Sequence, residues 1–173
     1  MEVGMIEILN RKNIFIFMFV FFSMGNVRGN SMDNNIWSFL ELLRKEFIMP
    51  VDKFSEITGV KVKLEYYNEF TIFYRAEGVK LSENINIGSI DLRANGNELH
   101  FPSILSFDIS GRCITLNDIK DKFSHLEIVD YPGGHSLNDV TTYATKNDSH
   151  GVRLGFSFAE KNPDCLARVV IRK

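Results

Sequence analysis

The sequence predicts an α+β fold: two helix-plus-antiparallel-sheet units in tandem, each a helix followed by three strands. Three observations point there. Apolar residues at helical spacing open each half, period-two alternation follows in each, and the element order repeats. The units span 30–110 and 111–173, behind an N-terminal segment, 1–29, that is set apart from the fold.

Segment 1–29 reads as a signal peptide. Arg11 and Lys12 precede a Phe-rich apolar run, Ile14 to Phe22, and Val27-Arg28-Gly29 offers a cleavage site. A membrane anchor needs about 20 apolar residues, and this run is shorter, so no stable anchor is expected. Glu2 and Glu7 are unusual before such a run, and Met5 is an alternative start. Export to the periplasm follows as an expectation.

Ile36, Phe39, Leu40, Leu43 and Phe47 form one apolar stripe of a first helix, with Asp33 or Asn34 as its cap. Met49-Pro50 ends it. Pro50 then sits at the first position of a short second helix, with Val51, Phe54 and Ile57 as its apolar face and Gly59 as its stop. From Val60 to Ile109 the spacing becomes that of strands. Phe70, Ile72 and Tyr74 alternate, and a slip at Gly88-Ser89 predicts a β-bulge. Pro102 belongs at an edge or an irregularity. In the second half, Thr115 with Asp118 reads as a capping-box variant opening a helix with Leu116, Ile119 and Phe123. Val140 to Thr145 is β-branched and aromatic. Val152, Leu154, Phe156 and Phe158 then alternate, as do Cys165, Ala167, Val169 and Ile171.

The formal charge of −2 argues against a nucleic-acid partner. Two cysteines exclude a Cys-rich zinc site. In an exported chain, Cys113 and Cys165 favour a structural disulfide, with two buried thiols as the alternative. The histidines His100, His125, His135 and His150 form no metal-ligand spacing, and no G-x-S-x-G occurs. No catalytic residue, metal or cofactor is expected, and the chain reads as a non-enzyme. His100, between Leu99 and Phe101, reads as a solvent-side residue.

Two loops are candidates for partner contact. Tyr131, Gly133, Gly134, His135 and Ser136 lie in a Gly-rich stretch, which is either a connecting turn or a recognition loop. Tyr66, Tyr67 and Asn68 occupy the matching helix-to-strand connection of the first half. Tyrosine suits recognition through its large area, few rotors and polar tip.

The tandem helix-plus-three-strand order resembles the beta-lactamase-inhibitor protein fold. The second half more closely resembles exported immunity proteins paired with type VI secretion effectors. That likeness lies in Arg112-Cys113-Ile114-Thr115-Leu116, Pro132-Gly133-Gly134-His135-Ser136, Gly155-Phe156-Ser157-Phe158 and Asp164-Cys165-Leu166. It implies a periplasmic immunity protein that binds a cognate secreted antibacterial toxin and occludes its active site. The alternative is a non-catalytic scaffold for envelope assembly. A mildly acidic inhibitor would be steered toward a basic effector. Sheet edges and Phe-rich strands are also compatible with a homodimer, although core packing explains the Phe residues more simply.

Overall fold

The structure is a computed structural model and describes residues 35–96 and 100–173. The expected signal peptide, the Asp33 and Asn34 caps and Leu99 lie outside the described residues. Helix α1 spans Ile36–Glu46, and α2 spans Val51–Thr58. Six strands follow: β1 (Lys63–Tyr67), β2 (Thr71–Ala76), β3 (Val79–Lys80), β4 (Ile85–Ile87), β5 (Ile90–Asn95) and β6 (Pro102–Gly111). Then come α3 (Leu116–Lys120), β7 (Glu127–Asp130), β8 (Val140–Ala144), β9 (Arg153–Ala159) and β10 (Asn162–Arg172).

The expectation of two helix-plus-sheet units is corrected. The ten strands form one antiparallel sheet, ordered β1-β2-β5-β6-β10-β9-β8-β7, with β4 on β6 and β3 on β4. Strand occupies 43% of the described residues and helix 18%, so this part of the molecule is mainly β. The physical reason lies at the centre. Leu105, Phe107, Val169 and Ile171 are all buried, and β6 and β10 bring them side by side, pairing Phe107 with Val169 and Leu105 with Ile171. Separating the halves would expose those apolar residues and a row of backbone donors and acceptors.

The helices build the other layer. The stripe Ile36, Phe39, Leu40, Leu43 and Phe47 is buried throughout and shares one core with Leu92, Phe107, Phe156 and Val169 of the sheet. Phe39 meets Phe107, and Trp37 meets Phe123, which in turn meets Phe156. Asn35 caps α1 by accepting from the Ser38 N–H at 2.9 Å. Pro50 is the cap residue of α2, one position before the expected first turn, and Gly59 closes that helix with φ of 71°. Ile57 is exposed; Thr58 takes the inward place and its hydroxyl donates to the Phe54 carbonyl. The capping box of Thr115 and Asp118 is formed.

The slip at Gly88-Ser89 is present. Ile87 faces Ile109, whereas Asp91 faces Ser106, one step out of register, and the Gly88 N–H donates to the Asp108 carbonyl at 2.9 Å. Pro102 begins β6 beside a second irregularity, where the missing N–H does no harm. Cys113 and Cys165 are bonded, tying the start of α3 to β10 with 5.0 Å between Cα atoms. That bond is compatible with an exported protein. Among the described residues, no helix is long and apolar enough to cross a membrane.

Candidate partner-binding face

Alternation along each strand sends one set of side chains to the helices and the other away from them. The second set forms a broad face that none of the described helices covers. Registers on its two sides correspond. The β1–β2 pairing slips between Leu64 and Tyr66, and β7–β8 slips between Ile128 and Asp130. The β5–β6 pairing slips at Arg93/Ala94, and β9–β10 slips between Leu166 and Arg168. One row across the open face therefore reads Tyr66, Phe73, Arg93 and Ile104. Its counterpart on the other side reads Asp130, Thr142, Ser157 and Arg168.

The two rows have opposite shapes. In the first, Tyr66 stacks on Phe73 with centroids 4.2 Å apart and planes 10° from parallel. The Arg93 guanidinium stands 5.4 Å from the centre of the Phe73 ring. Large flat groups raise a ridge there, and stacking with a cation holds it in place. Glu65 accepts two hydrogen bonds from Arg75 at 3.0 and 3.1 Å, and Asp91 accepts one from Arg93 at 3.2 Å.

In the second row Thr142 and Ser157 are short, and a hollow of about 360 Å³ opens over them. Its floor includes Thr142, Ala144, Gly155 and Ser157, all buried. The Thr142 and Ser157 hydroxyls hydrogen-bond at 2.8 Å. Three arginines line it: Arg153, Arg168 and Arg172. Arg168 Nε donates to Asp108 at 2.7 Å. Arg153 and Arg172 are register partners on β9 and β10, and neither forms an ion pair with another described residue. Arginine is thus concentrated here, on a chain whose formal charge is −2.

The structure separates the two groups of candidate contact residues. Tyr66 and Tyr67 belong to edge strand β1, where a connection was expected, and Tyr131 follows β7 at the opposite edge. Seven strand spacings lie between those edges, about 33 Å along the sheet. Tyr66 faces the open side. Tyr67 pairs with Ile72 and borders a separate cavity of about 390 Å³ with Leu64, Tyr74 and His100. Asn68 builds the hairpin: its Oδ1 accepts from the N–H groups of Phe70 and Thr71. In the other loop, the Asp139 carboxylate accepts from the N–H groups of His135 and Ser136, and Gly134 takes a φ of 74°. Tyr131, Gly133 and Leu137 are exposed around it.

His100 is half-buried, correcting its reading as a solvent-side residue. The Tyr74 hydroxyl lies 3.4 Å from its Nδ1, and its carbonyl accepts from the Val51 N–H. Among the described residues, no group of three His, Cys, Asp or Glu side chains is placed to hold a metal.

The sequence reading missed Phe73, Arg93, Arg153, Arg168 and Arg172. Their signal was present as the outward parity of strands whose inward parity was read. No known family, curated protein or solved structure matches the chain.

Proposed function

We propose that this chain is an exported, non-catalytic immunity protein that binds a cognate secreted antibacterial toxin and occludes its active site. The observation behind it is the open sheet face, with a stacked ridge at one side and an arginine-lined hollow at the other. Side chains on a hydrogen-bonded sheet are already ordered, so binding through them loses little conformational freedom, and tight association is within reach. The exposed Tyr66 and Tyr131 flank this face from opposite edges and suit contacts at its margins. The disulfide is compatible with the oxidising compartment in which such a protein works.

The test is capture followed by reconstitution. The chain, purified from the periplasm after expression of the full gene, is used to capture proteins from the native secretome. The captured protein is then purified alone. The expected result is a one-to-one complex in which the captured protein's toxic activity falls as the chain is added. Co-expression of the two in the periplasm should also restore growth. Capture of envelope-assembly proteins only, with no growth-inhibiting protein among them, would overturn this reading.

A further inference from the structure

We infer that the hollow on the open face is a receptor for a carboxylate side chain of the partner protein. This deepens the proposal above and rests on it for the partner being a protein. Arg153 and Arg172 stand directly across β9–β10 from one another. Like charges at facing positions repel, and no carboxylate among the described residues pairs with either of them. An incoming carboxylate relieves that repulsion and offers each guanidinium a planar acceptor.

The floor suits the same ligand. One of the Thr142 and Ser157 hydroxyls donates to the other. The accepting hydroxyl keeps its own proton to offer. Carboxylates accept hydrogen bonds and donate none, so they match the donors of Arg153, Arg172 and the hydroxyl pair, while Asp130, the one acidic residue lining the hollow, stands in the row of Arg168. The short side chains at Ala144 and Gly155 leave the depth that a Glu or Asp side chain needs. Charge argues against a second copy of this chain as the occupant. Its matching protrusion is the ridge, where Arg93 would meet Arg153 and Arg172 and the carboxylates Glu65 and Asp91 are already held by Arg75 and Arg93.

The test uses isotope-labelled chain purified from the periplasm and read by amide chemical shifts. The probes are a blocked tetraglutamate peptide, its tetraglutamine counterpart, and sodium sulfate at matched ionic strength. The expected result is saturable shifts centred on Gly155 and Ser157 with tetraglutamate alone. In the R153Q/R172Q double variant, affinity should fall about tenfold, which corresponds to 1.4 kcal/mol. Arg172 is exposed and Arg153 half-buried, and unchanged shifts in the helices verify the fold of the variant. Absence of a localised response, an equal response to tetraglutamine, or an equal response to sulfate would each overturn the inference. If a toxin is captured and the double variant captures it undiminished, the carboxylate receptor fails while the immunity reading stands. If the hollow takes tetraglutamate but the chain captures no toxin, the receptor stands and the immunity reading fails.

Discussion

Thr142 and Ser157, on neighbouring strands β8 and β9, share a 2.8 Å hydrogen bond between buried hydroxyls on the side of the sheet facing away from the helices. Each is the other's partner. Ser157→Ala therefore removes the Thr142 hydroxyl's partner within the sheet, leaving it only water in the hollow, at a cost of about 0.5–1.5 kcal/mol. Adding Thr142→Val removes that hydroxyl, so the double variant should recover most of that loss. Urea denaturation of the three variants checks this. A double variant less stable than Ser157→Ala would show that the bond contributes through something other than mutual satisfaction.

The Cys113–Cys165 bond closes a separation of 52 residues. For a loop of this length the chain-entropy account gives on the order of 4 kcal/mol. The C113S/C165S variant should lose stability on that scale. The wild-type chain in reductant should follow the same denaturation curve. The bond sits where the Leu166 N–H already donates to the Ile114 carbonyl at 2.8 Å, so the native backbone holds both ends together without it. Local structure near α3 should persist in the variant under native conditions, as amide exchange would show.

What the sequence made legible was inward-facing and local. The α1 stripe, the Gly59 stop, the Thr115–Asp118 box and the Gly88 slip each follow from a few adjacent residues. Edge strands β1 and β7 were hidden because all their residues are exposed, so alternation has no buried face to mark it. The single sheet was hidden for a different reason. Whether two halves join depends on the pairing of β6 with β10, a contact between distant residues that no local spacing encodes. The hollow arises from the same kind of long-range registry: Thr142, Ser157 and Arg168 become neighbours only once three strands are aligned.

Asp148 links a loop to α1 and gives stability a dependence on acid. Burial pushes its carboxyl up. The N–H groups of Val152 and His150, with the Arg44 guanidinium, outweigh that and hold it below the usual carboxylate range. A carboxyl with a depressed folded pKa stabilises fully above its unfolded value, about 3.9, and that contribution fades as pH falls through the folded value. Stability should thus be level near neutrality and decline below about pH 4. Asp148→Asn should cost about 1 kcal/mol at pH 7, since its bonds become neutral ones, and should flatten part of the acid decline. The remainder is expected from Asp118, which the N–H and then the hydroxyl of Thr115 hold low, and from exposed Glu56, which the hydrogen bond and charge of Lys53 hold low. Denaturation midpoints between pH 2.5 and 7 would check this, and an unaltered acid limb in the Asp148→Asn variant would refute it.

Two glycines with positive φ should respond very differently to alanine. Gly111 ends β6 at φ of 93°, and a Cβ there would run into the Asn84 carbonyl oxygen. That oxygen is fixed in place, accepting from the Arg112 N–H at 2.9 Å, while Gly111 itself pairs with Ile85. The backbone has nowhere to yield, so Gly111→Ala should cost more than about 3 kcal/mol, combining left-handed strain with overpacking. Gly134, at φ of 74°, has nothing within 4 Å of its would-be Cβ. There the strain of the left-handed conformation stands alone, about 1 kcal/mol. Paired urea melts separate the two, and comparable losses at both positions would mean that the Asn84 contact is not what requires glycine at 111.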